Sequence, residues 1–139
     1  MAAIALKRTL LIDAAPAALW PSLSDTDRLN RAVGLPVVTY EPPPPDGVVR
    51  RARATQFGVL PLSWDEHPLD WVEDGHYFVE RVFHGGPLAW AKGGMRLAPE
   101  GSGTRVEIVA EAEPRGSLSG VAARIALQAS IDGMARLVE

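Results

Sequence analysis

Turn signals divide the middle of this chain into short segments, and their spacing constrains the fold more than any other feature. Between residues 37 and 115, clusters of glycine and proline recur along the chain. Their spacing is close to the interval of about 8–12 residues that is typical of short antiparallel strands. Residues 70–75 form one turn region, with Asp74-Gly75 as a hairpin signal. The pattern predicts an antiparallel meander with strands at residues 37–41, 48–57, 60–68, 77–83, 88–97 and 104–112.

The residues before this meander predict one strand and two short helices. The strand covers residues 4–13, and Asp13 can cap a helix over residues 16–23, whose first turn tolerates its proline. Residues 24–26 interrupt that helix and supply a cap for a second helix over residues 27–32. With the meander, this gives about seven strands.

The end of the chain predicts one long helix over residues 118–138 that is apolar on two faces. The faces hold Leu118, Val121, Ala122, Ile125 and Ala129 on one side and Leu127, Ile131, Met134 and Val138 on the other. One face can cover the sheet, whereas the other needs a further partner or a bend near residues 132–133. Because no glycine, asparagine or proline stops the helix before Glu139, we expect the natural polypeptide to continue.

Two apolar patterns predict the core of an α+β domain. The strand at residues 104–112 alternates, so we expect it to bury Val106, Ile108 and Ala110 against the last helix. Trp20 lies on the apolar stripe of the first helix. We therefore predict that it anchors the first helices to the sheet and does not contact a ligand.

Composition bounds the class of protein. With 139 residues, 47% of them apolar and 22% charged, the chain fits a single domain over residues 1–139. The net charge of -3 argues against a nucleic-acid partner, and no apolar run is long enough to span a membrane. The chain has no cysteine, and its N-terminal charges follow the apolar stretch, the reverse of a secretory signal. We expect a cytoplasmic protein.

Motifs for catalysis, metals or cofactors are absent. His76 and His84 are too far apart along one strand to share a metal, and His67 lies outside that strand. The Gly-Ser-Leu-Ser-Gly sequence at 116–120 has leucine where a nucleophile elbow needs serine. The glycine-rich segments fit neither the phosphate loop nor the dinucleotide fingerprint. We therefore predict no catalytic residue, metal or cofactor in this segment.

The order of elements and three segments carry a family resemblance. The segment IDAAPAALW at residues 12–20 resembles the strand-to-helix signature of the START-like, or polyketide-cyclase-like (SRPBCC), superfamily. Residues 19–36 and 57–73 more narrowly resemble the START-like domain that precedes bacterial class III adenylate and guanylate cyclases. The resemblance spans nearly the whole chain and implies a helix-grip fold, in which a curved antiparallel sheet wraps around the long C-terminal helix.

The resemblance also implies a cavity between sheet and helix that in relatives holds an apolar or amphipathic ligand. Small side chains such as those of Ala110 and Ala112 are compatible with such a space. The candidate lining residues are Trp64, Glu66, Tyr77, Arg81, Phe83, Trp90, Ile108, Ala110, Leu127 and Ile131.

Two orientations of the strand at residues 76–84 stay open, because both of its faces mix apolar and polar residues. If Tyr77, Val79, Arg81 and Phe83 face inward, Arg81 is the one charged group directed at the core. A buried guanidinium needs a partner, either Glu66 on the neighbouring strand or an acidic ligand headgroup. In the opposite orientation, His76, Phe78, Glu80 and Val82 point inward.

Four functions are compatible with the sequence. The first is a noncatalytic ligand-sensing module that regulates a nucleotide cyclase, whose catalytic residues would lie downstream of Glu139. The second is a stand-alone carrier of lipids or hydrophobic metabolites. The third is an enzyme of the cyclase/aromatase kind, which would need groups such as Glu66, Tyr77 or Arg81 to converge. The fourth is a structural dimerisation domain with a filled core. The last helix could contact a second copy or a downstream catalytic domain.

Overall fold

The computed structural model describes residues 3–35, 37–42, 45 and 49–138. The strands are β1 (Ile4–Ile12), β2 (Thr39–Tyr40), β3 (Arg50–Gln56), β4 (Leu60–Glu66), β5 (Asp70–Val72), β6 (His76–Phe83), β7 (Leu88–Glu100) and β8 (Gly103–Pro114). The helices are α1 (Pro16–Leu23), α2 (Thr26–Ala32) and α3 (Ser117–Val138). The α+β architecture with two short helices after the first strand is confirmed.

All strands belong to one antiparallel sheet. Its order is β1-β8-β7-β6-β4-β3-β2, with β5 paired to β6 outside that path. The predicted meander is therefore correct along β3 to β8, since neighbours in sequence are also neighbours in the sheet, apart from β5. The first strand, β1, forms one edge of the sheet. It pairs with β8 along its whole length, from Ile4 opposite Ala112 to Ile12 opposite Thr104. The beginning of the predicted strand at 48–57 falls at residue 48, outside the described residues.

One strand was not predicted, at Asp70–Val72. These residues pair with β6, and the turn that joins them to it is closed by a hydrogen bond from the Gly75 amide to the Val72 carbonyl. Asp74 has the positive φ of 62° that such a tight turn requires. The hairpin signal at Asp74-Gly75 is thus confirmed, but the strand before it begins within the segment predicted as a turn.

The two short helices begin differently from one another. The Asp25 carboxylate caps α2 by accepting hydrogen bonds from the Asp27 and Arg28 amides, as the sequence predicts. The prediction for α1 was wrong. Its cap position is occupied by Ala15, which makes no side-chain capping bond, so Asp13 does not cap the helix. Pro16 compensates in part, since it has no amide hydrogen left unpaired.

The inner face of β8 lies under α3, as predicted. Val106 and Ile108 are fully buried and Ala110 is nearly so, within one hydrophobic cluster that includes Ile131 and Val138 of α3. Trp20 belongs to the same cluster. The polar residues Arg105 and Glu107 alternate to the other side of the sheet.

The helix α3 buries one of its two apolar faces. Leu127, Ile131 and Val138 pack into the core, whereas Val121 and Ile125 are mostly exposed. The helix continues without a break through Gly133. At that position a Cβ atom would collide with the carbonyl oxygen of Ala32, because the end of α2 packs directly on α3. Across the described part of the chain, no helix has the length and apolarity needed to cross a membrane.

Candidate functional site

A cavity of about 120 Å³ lies between the inner face of the sheet and α3, with α2 along one side. Large apolar side chains form its walls: Leu29, Val33, Val79, Phe83, Leu127 and Met134. Its floor is made of small residues, since Gly93 lies opposite Ala110 on neighbouring strands and Ala91 lies two residues before Gly93. The space therefore exists because side chains are missing from the floor.

The cavity lies at the junction of two hydrophobic clusters. The larger cluster is centred on β7, β8 and α3, and the smaller one on Trp64 and Phe83 of β4 and β6. Val33, Leu88 and Ala91 pack against both clusters and also line the cavity. The two halves of the core meet around this space without filling it.

Arg81 is directed inward and has two protein partners. Its Nε donates a hydrogen bond to Glu66 Oε1 over 3.0 Å, and its Nη2 donates to Asn30 Oδ1 over 2.9 Å. The guanidinium also lies 4.8 Å from the ring centroid of Trp64. The Arg81 and Glu66 side chains are only 12% and 15% exposed. The partner of the inward-facing guanidinium is therefore Glu66, and a ligand headgroup is not needed to balance its charge.

The polar network continues from Glu66 toward the edge of the sheet. The indole nitrogen of Trp64 donates to Glu66 Oε1 over 3.4 Å. Burial raises the pKa of Tyr40, and the neighbouring Glu66 carboxylate raises it further. Arg50 stacks over the Tyr40 ring at 4.7 Å. The Arg81 guanidinium is thus part of a polar network that extends away from the cavity, in contrast to the apolar walls.

Tyr77 adds a mostly buried side chain with a hydroxyl group to the cavity walls. Its side chain is nine-tenths buried, and the described residues provide no hydrogen bond to its hydroxyl. Burial raises the pKa of Tyr77 to about 12, while the Arg81 charge acts in the opposite direction. The hydroxyl is therefore neutral near pH 7 and is available as a hydrogen-bond donor.

The structure brings together half of the residues predicted to line a cavity. Tyr77, Arg81, Phe83, Ala110 and Leu127 all border the space. Glu66 does not border the cavity itself but accepts a hydrogen bond from Arg81, which does. Trp64, Ile108 and Ile131 are completely or almost completely buried and belong to the packed core instead.

Trp90 lies elsewhere, on the outer face of the sheet. A β-bulge between Leu88 and Trp90 interrupts the alternation, so that Leu88 borders the cavity and Trp90 does not. The Trp90 indole nitrogen donates to Glu113 Oε2 over 2.9 Å. A strict two-residue period would have placed both side chains on one face.

Asn30 and Tyr40 were missed by sequence reasoning. Asn30 is buried and lines the cavity, and it contacts a residue 51 positions further along the chain. Its only signal is a polar side chain within a short helix, which is typical of a solvated face. Its role depends on how α2 docks, which local sequence does not determine.

The histidines at the start of β6 and directly after it, His76 and His84, each pair with a different carboxylate. His76 Nε2 lies 3.1 Å from Asp70, and His84 Nε2 lies 2.9 Å from Asp65. The hydrogen bond from His84 holds the pKa of Asp65 below its ordinary value. Within residues 3–35, 37–42, 45 and 49–138, no three histidine or acidic side chains are grouped to hold a metal ion.

The curved antiparallel sheet packed around the long C-terminal helix defines a helix-grip domain of the START-like class, and solved structures share this fold. The di-domain aromatase/cyclase StfQ of steffimycin biosynthesis is similar with a TM-score of 0.71 and 13% identity over 98% of this chain, which spans only half of StfQ. Norcoclaurine synthase from Thalictrum flavum has a TM-score of 0.67 and 14% identity over 99% of this chain and 91% of the synthase. The ZhuI aromatase/cyclase from a Streptomyces species has a TM-score of 0.62 and 13% identity, with 99% and 97% covered.

The sequence also matches a family profile. Residues 3–139 match the family described as polyketide cyclase/dehydrase and lipid transport, and the chain belongs to that family. No curated protein sequence matches the chain significantly. At the identities found, the solved structures establish the shared fold and not a shared activity.

Proposed function

We propose that this chain binds an apolar or amphipathic small molecule in the cavity between the sheet and α3. The observation that carries the proposal is a largely apolar space between the sheet and α3 that two polar side chains, Tyr77 and Arg81, also border. The Tyr77 hydroxyl makes no hydrogen bond to the described residues, so it is free to bond to a ligand. An apolar pocket with a few convergent polar groups is also the usual form of a ligand site.

A pair of alanines on α3 provides the test. Ala126 borders the cavity, and Ala122, one turn earlier on the same helix, is exposed. We expect Ala126→Leu to fill the space and weaken the saturable binding of a hydrophobic fluorophore or of lipid-extract components by at least about tenfold. Ala122→Leu adds the same side chain to the surface and should bind like the unmodified protein.

Two results would contradict the proposal. If the unmodified protein binds none of the tested compounds saturably, the cavity is only a gap in the packing of the core. Equal loss of binding in both leucine variants would show that the ligand occupies the surface of α3 and not the cavity. Mass spectrometry of the purified protein under native conditions would independently detect a ligand that remains bound.

An enzyme of the aromatase/cyclase kind is the second candidate. Glu66 and Arg81 are in direct contact, and Tyr77, two strand periods before Arg81, borders the same cavity. The solved structures of StfQ and ZhuI, both aromatase/cyclases, support this candidate through their fold. Turnover of a poly-ketone substrate that Tyr77→Phe abolishes would favour it. Binding of such a substrate without product would favour the noncatalytic role.

Regulation of a nucleotide cyclase is a narrower proposal, supported by the resemblance of residues 19–36 and 57–73. The exposed Val121 and Ile125 on α3 offer a surface for a second copy or a downstream domain. The natural gene and its full-length product test the proposal. A cyclase activity that responds to the ligand would support regulation, whereas a product without a catalytic domain would favour the carrier. A cytoplasmic location stays a prediction from the N-terminal sequence.

A further inference from the structure

We propose that Glu66 makes this cavity selective for a small neutral ligand with a hydrogen-bond acceptor, such as a single-ring ketone, and excludes carboxylic acids of the same shape. The inference rests on the proposed function, because it presumes that the cavity binds a small molecule. It adds the chemical class of that ligand and the residue that sets it.

The charge inside the cavity is balanced. Among the described residues, the charged ones that border the space are Arg81 and Lys92. Lys92 pairs in register with Glu80 and Glu111 at exposed positions, so its ammonium group lies on the outer face. Of the cations described around the cavity, Arg81 is therefore the one directed inward, and the Glu66 carboxylate 3.0 Å away offsets its charge.

A balanced pair does not attract an anion strongly. A carboxylate entering the cavity would lose its hydration and would approach Arg81 against the repulsion of Glu66. A neutral carbonyl loses much less hydration on burial. Neutral compounds should therefore bind better than acids of equal size.

Two of the polar side chains that border the cavity, Arg81 and Tyr77, offer hydrogen-bond donors. Arg81 has five N–H groups, and hydrogen bonds to Glu66 and Asn30 occupy two of its nitrogens. The Tyr77 hydroxyl is protonated and unpartnered. A ketone oxygen can accept from such donors, whereas a pure hydrocarbon would leave them unpaired.

The volume limits the size of the ligand. The cavity measures about 120 Å³. An apolar protein cavity of roughly 150 Å³ accommodates one benzene molecule. The space is somewhat smaller than that cavity but is open to solvent on one side, so a single ring fits when its substituent extends into the opening.

Three compounds of nearly the same shape test the inference at pH 7. Acetophenone is a neutral acceptor, benzoate is an anion, and α-methylstyrene has a methylene group in place of the ketone oxygen. Binding to the full chain can be followed by calorimetry and by amide chemical shifts of the cavity residues. We expect acetophenone to bind at least about tenfold more tightly than benzoate and several-fold more tightly than α-methylstyrene.

Glu66→Gln tests the assigned residue, with Glu113→Gln as its matched control. Both carboxylates accept a hydrogen bond from a tryptophan indole, but Glu113 lies with Trp90 on the outer face. Glu66→Gln leaves Arg81 as a net positive charge in the cavity. Its preference should shift toward benzoate by at least about tenfold, because the buried cation then lacks its counterion. Glu113→Gln should keep the selectivity of the unmodified protein.

Arg81→Gln provides a second variant with the opposite charge, should Glu66→Gln fail to fold in thermal unfolding. It leaves Glu66 as the uncompensated charge, so benzoate should bind even more weakly relative to acetophenone. Unchanged selectivity in the folded variants would overturn the role of Glu66.

The remaining outcomes separate the inference from the proposed function. If benzoate binds the unmodified protein as tightly as acetophenone does, the inference is overturned while ligand binding stands. If α-methylstyrene binds as tightly as acetophenone, the acceptor requirement is overturned. If none of the three compounds binds while larger compounds do, the size limit is wrong. If no compound of any size binds, the proposed function itself fails.

Discussion

The two halves of the sheet's inner face differ in how completely they are filled. At one end of β7 and β8, Leu97 lies opposite Val106 and Met95 opposite Ile108, and all four are buried. At the other end the same two strands pair Gly93 with Ala110 and Ala91 with Ala112. The inward side chains of β7 and β8 are therefore large at one end and small at the other, and the cavity lies over the small ones.

The two halves of this face differ in what they contribute: one stabilises the domain, and the other lines the proposed binding site. The packed end has the close contacts that stabilise a domain, because buried branched side chains exclude water and gain dispersion energy. The open end has fewer such contacts and adds a charged pair that contributes little net stability. Substitutions in the first half should change the free energy of unfolding, whereas those in the second should change binding.

The largest effect is expected from Trp20→Ala at the packed end. Trp20 is buried in the same cluster as Val106 and Ile131, so its loss leaves a large void. We expect the free energy of unfolding, measured by urea denaturation, to fall by about 3–5 kcal/mol. Ligand affinity of the folded fraction should be unchanged. Normal stability with lost affinity would instead place Trp20 in the binding site.

A second substitution in the packed half, Ile108→Ala, should cost about 2–5 kcal/mol in the same measurement. Ile108 is fully buried and lies two residues before Ala110 at the boundary of the cavity. A cost below about 1 kcal/mol would mean that the void extends under Ile108, which would remove the boundary between the two halves.

An alkaline titration sharpens the comparison from the side of the cavity. Burial raises the pKa of Tyr77 from 10.0 to about 12, so the folded protein holds this proton more tightly than the unfolded chain. The corresponding stability is complete below pH 10 and is lost as the pH rises toward 12. Between these values the unmodified protein should lose about 2–3 kcal/mol more than Tyr77→Phe does. Parallel losses in both proteins would show that Tyr77 ionises as freely as an exposed tyrosine.

The smallest effect is expected from Trp90→Phe on the outer face. The change removes the hydrogen bond to Glu113 together with part of a partly exposed ring, and the loss of the hydrogen bond should lower the free energy of unfolding by about 0.5–1.5 kcal/mol. Acetophenone affinity should not change, because Trp90 is absent from the cavity walls. A reduced affinity would show that the bulge does not hold Trp90 away from the ligand.

The sequence correctly predicted the buried face of a strand where apolar and polar residues alternate regularly. The alternation of residues 104–112 correctly predicted which side of β8 is buried, since all of its apolar residues except Val109 fall on one face. The order of elements likewise gave the architecture and the position of the last helix. Local patterns of this kind depend only on chain geometry.

The orientation of β6 could not be read from the sequence, because Phe78 is buried on the outer face. Its ring packs where Gly94 has no side chain, and a Cβ atom at Gly94 would collide with that ring and with the Tyr77 carbonyl. An aromatic residue can thus be buried on either face when the neighbouring strand contains glycine. Alternation alone shows which residues of β6 share a face, but it does not show which face points inward.

The close approach of α2 to Gly133 has a consequence for protein engineering. Leu29, Asn30 and Val33 border the cavity from α2 or its end, and the distance of that helix from α3 is set by a residue without a side chain, outside the cavity walls. A methyl group at Gly133 would push α2 outward and carry these three residues with it. The size of the ligand that this scaffold accepts therefore depends on a residue outside the cavity walls, and a change there would also lengthen the hydrogen bond from Arg81 to Asn30.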